Sequence, residues 1–296
     1  MILRQISIGP LTIHIYGLVI AIAIFLGWVL AKKRAVIYKV PRKLFDDPIL
    51  IIPLILAIAT ARVYHVVDYW DYYSNNLIRI FAIGNGGLGI LGALAGMVLG
   101  FWIIARVKKV NFLSILDLAA PSILLGQAVG RFANFINQEG FGPPTGKPWG
   151  IFIDQAHRPA EYINSARFHP TFFYEAAINF ITFIILIYLS NLSFPRKSFD
   201  PELKTEGRES RTGSRIKELI FNKLKSKFGM TRKKPGQTFA LYLIFYSSAR
   251  FITEFWRIDT WMIGEVKVAH LLSILIFIIG LGLFMRSNKG PIPIRG

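Results

Sequence analysis

Long apolar runs recur along most of this sequence, and they constrain its fold more than any other feature. Each run has about 18 or more residues, the length that a helix needs to cross roughly 30 Å of hydrocarbon. The composition agrees, because 53% of the 296 residues are hydrophobic, only 18% are charged and the mean hydropathy is +0.46. These values exclude a water-soluble Rossmann or barrel enzyme and predict an all-α, polytopic integral membrane protein.

Seven of the runs are predicted to be transmembrane helices. Their approximate ranges are 14–31, 48–67, 87–105, 116–136, 171–190, 238–256 and 268–285. The first run is too long for the core of a signal peptide and no small-residue cleavage site follows it, so we expect it to be retained. The chain is therefore predicted to be a single membrane domain, residues 1–296, with a basic insertion at 196–234.

Basic residues are concentrated in every second connection between the predicted spans. The insertion alone, between the fifth and sixth spans, holds thirteen Lys and Arg against five acidic residues. By the positive-inside rule these connections are cytoplasmic, which predicts an external N-terminus and a cytoplasmic C-terminus. Topology thus explains the formal net charge of +18, and no nucleic-acid partner is predicted. Residues 214–228 are interpreted either as an amphipathic helix on the inner leaflet or as a disordered linker.

Three arginines fall within or at the ends of predicted spans, namely Arg62, Arg131 and Arg250. An ionisable group at that depth costs at least ~2.5 kcal/mol, so it normally faces a bundle interior or a wet cavity and indicates function.

The sixth span presents a polar stripe, because its polar residues follow one another at steps of three or four and so share one helical face. They are Tyr242, Tyr246, Arg250, Glu254 and Arg257. Arg250 and Arg257 are each expected to reach Glu254, which is compatible with an ion-pair ladder that orders the bundle. Since two arginines then face one carboxylate, the other interpretation is a site with positive charge available for an anion.

The fourth span ends in a second polar group, within Gly130–Gly142. Arg131 and Asn134 share a helical face, and Asn137 and Glu139 follow near the outer surface. A guanidinium binds oxyanions through its planar fork and Asn supplies oriented donors, so this set suits a phosphate. Polar contacts between helices are the alternative.

Two further polar positions lie at predicted outer boundaries. His14 and Tyr16 open the first span, and His169 precedes Pro170 at the start of the fifth. Each is compatible with an interfacial anchor or a helix cap. All the polar groups nevertheless fall in the outer half of the membrane, which predicts one common site.

Glycines at residues 84–89 match G-x-G-x-x-G, but no βαβ unit surrounds them, so a dinucleotide site is rejected. Gly92, Gly96 and Gly100 recur at spacing four and predict close helix packing.

With no cysteine in the chain, disulfides, thiolate metal sites and a cysteine nucleophile are excluded. The five histidines lack ligand spacing, so neither a metal nor another cofactor is predicted.

The run Gly130–Gly142, GRFANFINQEGFG, resembles the signature of the bacterial prolipoprotein diacylglyceryl transferases. The resemblance covers nearly the whole chain except residues 196–234. Further matching segments appear in the order that the family shows: His14–Gly17, Gly86–Gly87, His169–Pro170, Tyr174–Glu175, and Arg250 with Glu254 and Arg257.

This resemblance implies a transferase that moves the diacylglyceryl group of phosphatidylglycerol onto the lipobox cysteine thiol of a preprolipoprotein, forming a thioether and releasing glycerol phosphate. It also implies a bacterial cytoplasmic membrane location with the site toward the outer leaflet. The residues predicted to be catalytic are Tyr16, Glu139 and Arg250. Those predicted to bind substrate are Arg131, Asn134, Asn137, His14, His169, Glu254 and Arg257.

One position departs from the family pattern, because Leu91 stands where many members have a histidine proposed as general base. Either that histidine is not obligatory, or His14, Tyr16, His169 or Glu139 substitutes for it. Two other classes of protein also use intramembrane charges, a transporter and a non-catalytic lipid-binding scaffold.

Overall fold

The computed structural model consists mainly of α-helices at the positions of the apolar runs. It describes residues 5–8, 11–82, 87–192, 234–258 and 260–288. In chain order the helices are α1 (Ile15–Arg34), α2 (Ile51–Asp68), α3 (Trp70–Ser74), α4 (Ile90–Val107), α5 (Phe112–Asn137), α6 (Thr171–Leu192), α7 (Gln237–Thr253) and α8 (Val268–Asn288). The predicted amphipathic segment at 214–228 lies outside the described residues, as does all but the last residue of the insertion.

Short antiparallel hairpins connect or flank the helices. The described strands are β1 (Gln5–Ile8) with β2 (Leu11–His14), β3 (Ile151–Phe152) with β4 (Arg167–Phe168), and β5 (Met262–Ile263) with β6 (Val266–Lys267). Gln5 stands opposite His14, Ile151 opposite Phe168, and Met262 opposite Lys267. Because these pairs are so short, the predicted all-α class is confirmed.

Among the described residues, five helices are long and apolar enough to cross a membrane. They are Ile15–Tyr38, Pro48–Asp68, Phe112–Asn137, Thr171–Asn191 and Val268–Ser287. Many of their apolar side chains are exposed, such as Ile24 and Phe25, which is the pattern of a surface solvated by lipid. The predicted polytopic membrane class is thus confirmed.

The third and sixth predicted spans correspond to shorter helices. Leu91–Val107 is apolar but short, and α7 ends at Thr253, after which Glu254–Trp256 forms a 3-10 turn. The span predicted at about 238–256 is helical throughout, but its last turn is 3-10 and not α. Arg250, the charged residue of α7, belongs to the site described below.

Residues 32–116 form one compact unit, in which α2 packs closely along α4. A Cβ atom added to Gly92 or Gly96 would overlap a carbonyl oxygen of α2, that of Thr60 or of Leu56 respectively. An added Cβ at Gly100 would overlap Pro53. The prediction that these glycines allow close packing is confirmed.

We expect Gly96→Ala to destabilise the protein by about 1–3 kcal/mol, because the new methyl group forces two packed backbones apart. Thermal unfolding in detergent measures the effect. The matched control is Gly282→Ala in α8, where an added Cβ meets no atom within 4 Å. Equal stability of the two variants would contradict this account of the packing.

Arg62 of α2 holds the connection that leads to α4. Its Nε donates to the carbonyl of Ile80 at 2.7 Å, and its two Nη atoms donate to the carbonyls of Gly87 at 2.9 Å and Arg79 at 2.6 Å. The guanidinium also lies 5.1 Å from the ring centroid of Tyr73. Sequence reasoning marked Arg62 as a functional intramembrane charge, but these contacts give it a structural role.

The described parts of residues 1–31 and 117–296 form the other compact unit. Its core joins α5, α6 and α7 through Ala120, Leu124, Leu186, Leu189, Leu241 and Tyr242. Asp117 of α5 is buried and accepts hydrogen bonds at 2.8 Å from the backbone N–H groups of Gly236 and Phe239. Because a carboxylate there satisfies free donors at the positive end of a helix, Asp117 fixes where α7 begins.

Candidate active site

Charged side chains from α5, α6 and the end of α7 meet inside this second unit. We call Arg131, Glu175, Arg250, Glu254 and Arg257 the arginine cluster. Glu175 is its centre: Oε1 accepts from Arg250 at 3.1 Å and from Arg257 at 3.2 Å, and Oε2 forms an ion pair with Arg131. Only 4% of the Glu175 side chain is exposed, so its carboxylate is shielded from solvent and contacts these three arginines.

Glu254 is the second carboxylate of the arginine cluster. It is completely buried, and its Oε2 lies 2.8 Å from Nη2 of Arg250 one helical turn away. Among these five described side chains, three guanidinium groups face two carboxylates, a formal excess of one positive charge. In a site with little water that charge attracts an anion strongly, because the screening that weakens surface charges is missing.

Arg257 pairs differently from the prediction. Sequence reasoning expected both Arg250 and Arg257 to reach Glu254, and this is correct for Arg250 alone. Because α7 ends at Thr253 and the backbone is extended at Arg257, its side chain leaves the helical face and contacts Glu175. Lys267 stabilises this turn by donating to the carbonyls of Glu254 and Arg257, each at 2.7 Å.

The end of α5 turns sharply beside the arginine cluster. Gln138 and Gly140 have positive φ angles, 55° and 67°. An added Cβ at Gly140 would lie 3.0 Å from Nδ2 of Asn134 and 3.7 Å from Nη2 of Arg257, so the turn brings these two side chains to one place. Thr171 donates to the Gly140 carbonyl at 2.6 Å and ties the turn to the start of α6.

Asn134 and Asn137 lie on the last turns of α5 and are partly buried. Within the described part of the chain, neither carboxamide makes a hydrogen bond. Asn134 is next to Arg257, so its free donors and acceptor are available to a ligand of the cluster. Gln138 turns away and accepts from the backbone N–H of Asp154 at 2.8 Å.

Tyr16 and Glu139 lie at the edge of the arginine cluster. Tyr16 is the second residue of α1, and its phenol is within electrostatic range of both Glu139 and Arg131. Glu139 is exposed, and its backbone N–H donates to the Asn134 carbonyl at 3.0 Å. Tyr16 is thus within electrostatic range of two other predicted site residues, Glu139 and Arg131.

The two predicted histidines are placed differently. His14 is exposed at the end of β2, and Nδ1 of His169 lies 3.1 Å from the hydroxyl of Tyr174. No hydrogen bond or ion pair among the described residues joins either histidine to the arginine cluster. Their predicted role in substrate binding stays a prediction.

Sequence reasoning did not select Glu175 or Lys267 as site residues. One signal was available for Glu175, since a lone carboxylate one turn into an apolar span needs a partner of opposite charge. Lys267 had no such signal, because its partners are backbone carbonyls.

These features define a class: a multi-span helical membrane protein with a largely buried, net positive cluster suited to an oxyanion. The family described as prolipoprotein diacylglyceryl transferase matches residues 4–204 and 217–286. The chain belongs to this family, which confirms the resemblance found in the sequence. The unmatched residues 205–216 fall inside the predicted basic insertion.

Three relatives named phosphatidylglycerol–prolipoprotein diacylglyceryl transferase show the extent of the similarity. The protein of Acaryochloris marina is 36% identical over 279 residues, covering 94% of this chain and 86% of the relative. That of Halalkalibacterium halodurans is 34% identical over 289 residues, covering 96% and 86%. That of Finegoldia magna is 35% identical over 283 residues, covering 96% and 94%.

Proposed function

We propose that this protein transfers the diacylglyceryl group of phosphatidylglycerol to the thiol of the lipobox cysteine of a preprolipoprotein. The observation that supports it most directly is the arginine cluster, which has one net positive charge and lies between apolar helices. The names of the relatives supply the two substrates, a phosphatidylglycerol and a prolipoprotein.

The reaction is a displacement at carbon. The sulfur of the peptide thiolate attacks the glyceryl carbon that is bonded to the phosphate oxygen, so a C–S bond forms while the C–O bond breaks. The electron pair of the broken bond stays on the phosphate, which leaves as glycerol phosphate. Arg131 and Arg250 stabilise the charge on this leaving group, and because Glu175 already holds both guanidiniums, no reorganisation is needed.

The thiol must also lose its proton, since the thiolate is the nucleophile. We assign the proton acceptor to Glu139 and a relay to Tyr16, whose hydroxyl would pass its own proton to Glu139 as it takes that of the thiol. Tyr16 is within electrostatic range of Glu139 and Arg131, whereas His169 is engaged with Tyr174 and His14 has no described polar contact with the cluster. Glu139 is exposed and so accessible to an incoming peptide. Leu91, at the position of the family histidine, cannot accept a proton.

The site is proposed to face the outer leaflet of the bacterial cytoplasmic membrane. Its residues lie near the start of α1, the end of α5, the start of α6 and the end of α7. If the seven long helices cross in alternating directions, these four ends share one side of the bilayer. The basic residues of the connections support this orientation, with that side outside and the C-terminus in the cytoplasm.

Loss of activity in Tyr16→Phe and in Glu139→Gln tests the catalytic part of this proposal. With purified protein, phosphatidylglycerol and a lipobox peptide, we expect each variant to lower turnover by about 100-fold or more, because proton transfer contributes about 10²–10⁴ to a rate. Mass spectrometry of the peptide measures the product.

The matched controls are Tyr188→Phe, an exposed tyrosine of α6, and Glu265→Gln, an exposed acid in the β5–β6 turn. Both should transfer at the wild-type rate. A non-catalytic lipid-binding scaffold would form no product with any of these proteins. Wild-type product formation by Tyr16→Phe and Glu139→Gln together would remove their catalytic assignment.

A further inference from the structure

A small pocket between α6 and α7 adjoins the arginine cluster. The pocket is partly open, and its polar lining consists of Glu175, Asn179, Tyr246, Arg250 and Thr253. Glu175 and Arg250 belong to the arginine cluster itself. A group bound in this pocket would therefore touch the residues that are proposed to hold the lipid phosphate.

Asn179 is a lining residue whose carboxamide has no hydrogen-bond partner in the described ranges. It is only 4% exposed, yet its carboxamide makes no hydrogen bond to any residue in the described ranges. Glu175, in contrast, accepts from three arginines, and the Thr253 hydroxyl donates to the Arg250 carbonyl at 3.3 Å. An amide with so little access to solvent and no hydrogen bond is costly, so Asn179 is expected to bind a group that enters the pocket.

The chemistry of a carboxamide selects the kind of partner. Its NH₂ group donates and its oxygen accepts. A phosphate oxygen only accepts, which would leave the Asn179 oxygen unpaired. An ammonium group only donates, and the guanidinium of Arg250 beside it would repel it. Water and a hydroxyl group both donate and accept. A polyol that displaces water from the pocket therefore satisfies both ends of the carboxamide without adding charge.

We propose that Asn179 binds the glycerol hydroxyls of the phosphatidylglycerol head group and so distinguishes this lipid from other anionic phospholipids. This inference rests on the proposed function, in which that head group leaves as glycerol phosphate. The head-group glycerol is bonded directly to the phosphate, so a phosphate on Arg250 holds the glycerol next to this pocket. Asn179 lies one helical turn from Glu175 on the same face of α6, which places it beside the arginine cluster.

The test compares two lipids of equal charge, phosphatidylglycerol and phosphatidylpropanol, whose propyl group has no free hydroxyls. We expect the wild-type kcat/KM to favour phosphatidylglycerol by at least about tenfold, since a site built for hydroxyls rejects an analogue without them. Asn179→Leu, which has a similar volume and no polar atoms, should lower kcat/KM for phosphatidylglycerol by about tenfold or more. Its kcat/KM for phosphatidylpropanol should stay within about threefold of wild type.

Thr182→Val is the matched control, because Thr182 is a buried polar residue of the same helix outside the pocket, and it should keep the wild-type lipid preference. Asn179→Ser retains a group that donates and accepts, and should keep part of the preference for phosphatidylglycerol. If Asn179→Leu does not fold, the preference of Asn179→Ser tests the assignment instead. An equal fall in kcat/KM for both lipids in Asn179→Leu, or a wild type that does not prefer phosphatidylglycerol, would overturn the role of Asn179. Neither result would affect the proposed transferase activity. No transfer from either lipid by wild type would overturn the proposed function, and this inference with it.

Discussion

Glu175→Gln is expected to cause the largest loss of both stability and activity of any single substitution in the site. The change keeps the shape of the side chain but removes the charge that holds Arg131, Arg250 and Arg257 together. Three guanidiniums would then face Glu254 alone. Because breaking a buried ion pair leaves uncompensated charge, we expect the free energy of unfolding to fall by about 3–5 kcal/mol.

Two measurements check this expectation. Thermal unfolding in detergent reports stability, and peptide lipidation reports a loss of turnover of about 100-fold or more, which is the typical effect of disturbing a preorganised oxyanion site. Glu175→Asp keeps the charge on a shorter side chain and should recover part of the stability. Glu265→Gln, an exposed acid with the same substitution, should leave both quantities unchanged. Wild-type stability in Glu175→Gln would mean that the arginine cluster does not depend on this carboxylate.

Arg131→Lys is expected to lower turnover by about 100-fold or more while the protein stays folded. Lysine preserves the positive charge and can still pair with Glu175, so the charge balance of the arginine cluster is unchanged. It lacks the planar fork that presents two parallel donors to an oxyanion. Removing one donor from such a site costs about 10²–10³ in kcat.

Steady-state kinetics with phosphatidylglycerol and a lipobox peptide measure this effect, and size-exclusion chromatography in detergent verifies folding. Arg286→Lys at the exposed end of α8 makes the same change away from the cluster and should have wild-type activity. If Arg131→Lys were as active as the Arg286→Lys control, the fork of Arg131 would have no role in holding the head-group phosphate.

Much of the helical architecture could be predicted from sequence because the bilayer imposes a minimum length of apolar residues on each span. Periodicity also predicted the glycines that face α2, since residues spaced by four share a face. Helical periodicity failed to predict the position of Arg257. At the end of α7 the segment Glu254–Trp256 tightens into a 3-10 turn and redirects Arg257. Local spacing cannot reveal that change, because it depends on Lys267 in a later hairpin.

The members of the site were easier to predict than their pairing. Arg131, Arg250 and Glu254 are conspicuous because charged residues are rare in apolar spans. The same rule also selected Arg62, which binds backbone carbonyls that have no side-chain signature. Glu175 was missed as the centre because its partners Arg250 and Arg257 are 75 and 82 residues away in sequence, and only tertiary structure brings them together.

The most direct test of the central claim is the stoichiometry of the two products. Wild-type protein in liposomes with phosphatidylglycerol and a lipobox peptide should yield lipidated peptide and free glycerol phosphate in equal molar amounts. Both products should disappear when the peptide cysteine is replaced by serine. Folded protein that binds phosphatidylglycerol but yields neither product, or lipidated peptide without glycerol phosphate, would contradict displacement at carbon by the thiol.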